Sequence, residues 1–238
     1  DIDRTEDMVK GGKITSWYEE GKTFKDVFGE MAEVLEKAKS LAVTLLLSCD
    51  EEVLSAAGYE DDVGRHLKYA IWLKKMQGGF ASIISYNFDS DKWNKADCRA
   101  EYMMLAVVLE AGQGCLSIEK CMDAYGEENL CLRLDREKID TVGLRAISSF
   151  LKQLQGCIST ANAADAERIL TKFAPDPHQK EWMESILEKA SSLPIDLPHI
   201  VLPNVVEVDG EVSLKEYAAT AEGVIDSVLD RYTGEQLA

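Results

Sequence analysis

Apolar side chains recur at helical spacing from Thr23 onward. Phe28, Met31, Leu35, Ala38, Leu41, Ala42 and Leu45 fall on one face, which predicts a helix over about 23–48. Thr23 with Asp26 three residues on marks its start, a capping signature with Asp where Glu is usual. A short helix over 50–57 is predicted to end at Gly58. A second long helical pattern covers 61–87. Gly78-Gly79 lies inside it, which predicts either a kink or the close approach of another backbone. A third pattern, 92–111, carries Tyr102, Met103, Leu105, Val107, Val108 and Leu109 and is apolar on nearly every side, so it is expected to be buried.

After Gly112 the period changes. Cys115-Leu116-Ser117-Ile118 and Leu130-Cys131-Leu132-Arg133-Leu134 alternate in part with period two, and a Gly- and acid-containing turn lies between them, so a hairpin is predicted. Helices resume over 136–156, 162–173 and 178–191, with Pro175 and Pro177 separating the last two. Ile200 to Val206 predicts an edge strand, the place in a sheet that tolerates Pro203. Asp209-Gly210 is a turn, and Ser213 with Glu216 predicts a capping box that opens a last helix to about Arg231. The fold class is mainly α, with a few short strands that make it α+β in the strict sense. No repeat or linker stands out, so 1–238 is expected to be one domain. It comprises a lead-in segment (1–22), long helices (23–112), a hairpin (113–135) and helices with one late strand (136–231).

Composition narrows the function. With 46% hydrophobic residues the chain can bury a core, and no apolar run approaches the roughly 20 residues a membrane span needs. The polar, acidic start Asp1 to Lys10 does not resemble a secretion signal. A formal charge of −17 argues against nucleic acid and anionic membranes as partners. Six cysteines lie at 49, 98, 115, 121, 131 and 157 without a C-x-x-C pair, so they are expected to be reduced thiols in a cytoplasmic setting. His66, His178 and His199 are scattered. No H-E-x-x-H occurs, so neither a metal site nor a cofactor is predicted.

Four blocks carry a resemblance. Ile14 to Thr23 reads I-T-S-W-Y-E-E-G-K-T, Val108 to Gly114 reads V-L-E-A-G-Q-G, Leu132 to Gln155 opens L-R-L-D-R-E-K-I-D-T-V-G, and Ile200 to Asn204 reads I-V-L-P-N. In order and spacing they resemble the C-terminal part of the dipeptidyl peptidase III family, from about residue 12 to 231. That family is a two-lobed zinc aminopeptidase releasing dipeptides from short peptides. Its H-E-L-L-G-H helix supplies two histidines and a general base, and a Glu in E-E-C-R-A-E completes the zinc site. The resemblance begins downstream of H-E-L-L-G-H. It lays E-E-C-R-A-E on Glu36-Lys37-Ala38-Lys39-Ser40-Leu41, so the zinc-binding Glu becomes Lys37, an ammonium that cannot coordinate metal without losing its proton. A family histidine falls on Asp97, and two arginines fall on Glu101 and Ala106. Asp97-Cys98-Arg99-Ala100-Glu101 itself looks like E-C-R-A-E. The flanking Val108 to Gly114 instead assigns it to the histidine-bearing helix.

The candidate residues follow from this. Lys37, Asp97 and Glu101 are candidate acid/base groups in a remodelled cleft. Asp97 and Glu101 are neighbours at i, i+4, and they can equally form a wet acidic face paired with Lys92, Lys95 or Arg99. Trp17, Tyr18, Trp72, Tyr86 and Trp93 are candidates to line a ligand cleft, or else plain core. The resemblance implies a degenerate relative without zinc peptidase activity that binds a peptide, protein or small molecule. The alternatives are a metal-free enzyme using Asp97, Glu101 and Lys37, and a C-terminal fragment of a zinc aminopeptidase, against which Lys37 weighs. Half of a two-lobed cleft would also leave apolar surface that favours a homo-oligomer.

Overall fold

The helix predicted over 23–48 is interrupted once. In the computed structural model, which describes residues 13–122, 126, 128–192, 203–208 and 211–232, Thr23 caps a short α1, Phe24–Phe28. Both halves of the capping box form: Thr23 N–H donates to Asp26 Oδ2 at 2.8 Å, and Asp26 N–H donates to Thr23 Oγ1 at 3.3 Å. Gly29, at φ +53°, then breaks the run. Helix α2, Met31–Leu47, buries Ala32, Val34, Leu35, Ala38, Ala42 and Leu45, most of the predicted stripe. Asp50 caps α3, Glu51–Ala56, by accepting from the N–H groups of Glu52 and Val53.

Helix α4, Asp61–Ser82, runs through Gly78-Gly79 as one element. A Cβ on Gly79 would stand 2.6 Å from the Glu101 carbonyl oxygen and 2.8 Å from Leu105 Cβ. Of the two outcomes predicted for the glycine pair, the fold therefore uses the close approach of a second helix. A 3₁₀ turn, Ile83–Ser85, leads into a two-residue ladder of β1, Tyr86–Asn87, and β2, Lys92–Trp93, with Tyr86 opposite Trp93. This small hairpin replaces the ends of the helices predicted at 87 and 92. Its turn is held by Asn87 Oδ1, which accepts from the N–H groups of Asp89 and Ser90. Helix α5, Ala96–Ala111, buries Ala100, Tyr102, Met103, Met104, Leu105, Val107 and Val108. It is enclosed as its all-round apolar composition predicts, sharing one core with α2 and α4.

The predicted hairpin forms as β3, Leu116–Met122, and β4, Glu128–Leu134, in register from Leu116↔Leu134 to Met122↔Glu128. Leu116 and Leu134 are buried at its base. Further out, Cys121 and Cys131 form a disulfide with Cα atoms 5.9 Å apart. The expectation that all six cysteines are reduced thiols is thereby corrected. The chain then tightens through a 3₁₀ turn, Arg136–Lys138, and a π-helical turn, Ile139–Gly143, before α6, Leu144–Ser159. Asn162 caps α7, Ala163–Lys172. Asp176 and Gln179 box the turn before α8, Lys180–Ser192, with Pro177 in its first turn.

The chain groups into two compact units, Asp1–Ala190 and Ser191–Ala238. In the second, β5, Asn204–Val208, pairs antiparallel with β6, Glu211–Lys215, and α9, Ala221–Tyr232, follows. Ser213 lies in β6 opposite Val206. It therefore does not open the last helix; Thr220 Oγ1 performs that role by accepting from Gly223 N–H at 3.1 Å. The late region thus holds a strand pair where one strand is predicted. The Ile200 to Leu202 part of that prediction and His199 lie outside the described residues. Among the described residues no helix is long and apolar enough to cross a membrane.

Candidate functional site

Two of the three acid/base candidates meet. Helix α2 presents Lys37 beside the first turn of α5, where Asp97 stands, and Lys37 Nζ lies 3.0 Å from Asp97 Oδ1. Lys37 lies outside the buried stripe of α2, and both side chains are more than half exposed. The hydrogen bond to Asp97, and then that carboxylate's charge, hold the Lys37 ammonium above the ordinary lysine range, with smaller help from Glu33 and Glu36. None of the partners considered for Asp97 on its own segment takes that role.

Glu101, one turn along α5, has a different partner. Ser82 Oγ lies 2.8 Å from Glu101 Oε2 and 2.8 Å from the Gly78 carbonyl, and its single hydrogen donates to one of them at a time. The carboxylate lies over Gly78, where a Cβ would stand 3.6 Å from Glu101 Oε2, an ordinary contact. The i, i+4 spacing therefore puts Asp97 and Glu101 on one face, and the neighbouring helices pull them into separate contacts.

The five aromatic candidates do not line one cleft. Trp72 is fully buried, donates from Nε1 to Ser48 Oγ at 3.1 Å, and packs so closely on Gly143 that a Cβ there would sit 2.7 Å from its ring. Trp17 is 53% exposed, and Tyr18 donates from its hydroxyl to the Ile158 carbonyl at 2.8 Å. Only Tyr86 and Trp93 come together, with ring centroids 5.1 Å apart. Tyr102, which periodicity marks only as core, joins them at 5.4 Å from Trp93, and Phe88 stands edge-on to Tyr86 at 4.8 Å. Burial, then the hydrogen bond it donates to Asp91, push the Tyr86 phenol up to about 12. Burial pushes the Tyr102 phenol up further; it donates to Gln179. Arg99, half-buried on α5, is lowered by burial, and its Nε has no hydrogen-bond partner among the described residues. A cleft of about 280 Å³ elsewhere in the same unit is lined by Cys49, Leu54, Tyr59, Gly64, Arg65 and Lys68 among others, and takes in none of the eight candidates.

Lys37 and Asp97 do not by themselves make a set of zinc ligands. A metal needs lone pairs, and an ammonium offers none. At this site the nearest carboxylate, Asp97, is already engaged by Lys37. Among the described residues no three His, Cys, Asp or Glu side chains are grouped so that they could hold a metal ion.

Comparison with known proteins gives this architecture its lineage. The chain is 33% identical to dipeptidyl peptidase 3 of Nematostella vectensis over 94% of its own length and 30% of the relative's. It is 30% identical to dipeptidyl peptidase 3 of both Mus musculus and Homo sapiens, over 93% of the chain and 30% of each relative. The chain thus spans about 30% of the length of the curated relatives it matches. The model of peptidase family M49 matches residues 1–232, and the chain belongs to that family.

Proposed function

We propose that this M49 chain provides a helical lobe that binds a peptide or protein partner without hydrolysing it through zinc. The observation that carries the proposal is the Lys37–Asp97 ion pair at 3.0 Å. The resemblance lays Lys37 on the family's zinc-binding carboxylate and Asp97 on a family histidine. With both positions changed, one cation and one anion satisfy each other. A metal entering there would have to displace the lysine and coordinate through one exposed carboxylate. In this chain α4 and α5 pack closely at Gly79 and Glu101 and α5 is buried, so the lobe keeps a packed helical surface on which a partner can bind.

The experiment measures zinc by elemental analysis in the natural full-length polypeptide, expressed with zinc supplied. It is run together with release of a dipeptide from a chromogenic dipeptidyl arylamide and with peptide binding by calorimetry. The expected result is zinc far below one per chain, no dipeptide release, and saturable peptide binding. Stoichiometric zinc removable by a chelator overturns the proposal.

A second reading is favoured by the partial coverage of the relatives. In it the chain is the C-terminal part of a longer M49 enzyme whose other segments bring the remaining site residues. The same experiment separates the two: one zinc per polypeptide together with dipeptide release supports this reading and removes the first.

A further inference from the structure

The β3–β4 hairpin carries a feature that neither the proposed binding role nor the family resemblance accounts for. Cys121 stands opposite Asn129, and Cys131 stands opposite Glu119, so the two cysteines are diagonal neighbours on one face of the ladder. Side chains in that relation lie within reach of each other, and here the sulfurs are bonded. Both residues are half-buried, on the outer half of the hairpin beyond its buried base at Leu116 and Leu134. The same chain keeps Cys49, Cys98 and Cys115 as free thiols, so it is not a framework built on disulfides.

The hairpin has other means of holding its register. Leu116, Leu134 and Cys115 anchor its base in the core, and Asp135 N–H donates to the Cys115 carbonyl at 2.9 Å. Across the strands, Lys120 pairs with Glu128 at 2.8 Å and Arg133 pairs with Glu119 at 3.4 Å. A bond that the ladder does not need, between two cysteines that are only half-buried on the outer part of the hairpin, in a chain with free thiols, has the character of an exchangeable disulfide.

We propose that Cys121 and Cys131 form a reversible thiol–disulfide exchange site, opened by a dithiol reductant and closed by a disulfide oxidant, that clasps the outer half of the hairpin. In the opening step one thiolate of the reductant attacks the sulfur of Cys121 or Cys131. A mixed disulfide forms, and the other cysteine leaves as thiolate and takes up a proton. The second thiol of the reductant then attacks the mixed disulfide, releasing the remaining cysteine as a thiol. Two electrons pass to the protein, and the reductant leaves as its own disulfide. Glu119 faces Cys131, and its charge is met by Arg133, two residues along the same face.

The test treats the full natural chain, without denaturant, with dithiothreitol or with oxidised glutathione. Iodoacetamide labelling and peptide mass spectrometry follow. The untreated protein should give a linked Cys121–Cys131 peptide. Dithiothreitol should open it so that both cysteines label, with the helical circular dichroism unchanged and buried Cys115 unlabelled. Oxidised glutathione should then close it again. In Cys121→Ser, Cys131 should accept a glutathionyl group. The double variant Cys121→Ser/Cys131→Ser should fold with native helical content. A link that resists dithiothreitol until the protein is denatured overturns the proposal, as does a double variant that fails to fold, because either marks a fixed structural staple. Failure of the reduced pair to close again also overturns it.

Discussion

Lys37 and Asp97 join α2 to α5 through an ion pair of 3.0 Å in which each side chain is more than half exposed. Pairs in this setting contribute little to stability, because water screens the attraction and two side chains must be ordered. Lys37→Met is therefore expected to leave the melting temperature close to that of the parent. Lys37→Glu places a carboxylate beside Asp97 and near Glu33 and Glu36, and is expected to destabilise the fold at low ionic strength, with added salt restoring most of the loss. Thermal melts at two salt concentrations check both outcomes. The sign with pH follows from the raised Lys37 pKa: what the pair contributes is present below the ordinary lysine value of about 10.4 and is lost as pH rises through the higher folded value.

The glycine pair in α4 separates two effects at adjacent positions. Gly79→Ala would put a Cβ 2.6 Å from the Glu101 carbonyl oxygen and 2.8 Å from Leu105 Cβ, atoms of a packed helix with no room to retreat. It is expected to cost about 1–3 kcal/mol as α4 and α5 are forced apart. Gly78→Ala meets only the Glu101 carboxylate, at 3.6 Å, which is ordinary contact. It is expected to be neutral or to stabilise by up to about 1 kcal/mol through helix propensity. Urea titrations of the two variants check the contrast, and an equal loss in both would show that the α4–α5 approach is not tight.

Helix faces were legible in the sequence because burial repeats along them: Leu35, Ala38 and Leu45 are fully buried as their spacing requires. The family resemblance was equally legible in its blocks, whose order survives although each block is short. Interactions that depend on register or packing were not. The two-residue ladder of Tyr86 and Trp93 is too short to show a period. Ser213 and Glu216 form a sound capping signature, yet Ser213 pairs with Val206 because the period-two run from Glu211 to Lys215 decides the local structure. The disulfide joins residues ten apart, a spacing that says nothing until Cys121 is seen to face Asn129. The i, i+4 relation of Asp97 and Glu101 was visible, but their partners, Lys37 and Ser82, come from two other helices.

Tyr86 offers a prediction at alkaline pH. Its phenol is pushed up to about 12, first by burial and then by its hydrogen bond to Asp91. A raised pKa means that the fold favours the neutral phenol, so the contribution is present below the ordinary tyrosine value of about 10 and lost as pH climbs through the folded value. A spectroscopic titration of phenolate absorbance should show Tyr86 ionising after the exposed tyrosines, and Tyr86→Phe should remove amplitude from the late part of the curve. Loss of early amplitude instead would mean that the ring is not enclosed by Phe88 and Trp93.

Asn204 is the last residue of the I-V-L-P-N block, and the second unit shows what its amide does. Its Nδ2 donates one hydrogen to Tyr217 Oη at 2.8 Å and the other to the Ser227 carbonyl at 2.9 Å. Its Oδ1 accepts from Arg231 Nε at 3.0 Å and from a terminal guanidinium nitrogen of Arg231 at 2.7 Å. Both donor hydrogens and both acceptor positions are therefore used, and the residue is only 7% exposed. Tyr217 passes the connection on to Asp230, which also takes Lys215 at 2.5 Å, so Asn204 ties β5 to α9 and Asp230 brings in the end of β6. Asn204→Asp would keep the acceptors for Arg231 but face the Ser227 carbonyl with a second oxygen, and Asn204→Ala would leave that carbonyl and the guanidinium without this partner. Each variant is expected to lose about 1–3 kcal/mol. The loss should be local, with amide exchange rising in 204–208, 211–215 and 221–232 while α2, α4 and α5 keep their protection. Unchanged exchange in Asn204→Ala would show that the strands and α9 are held by apolar packing instead.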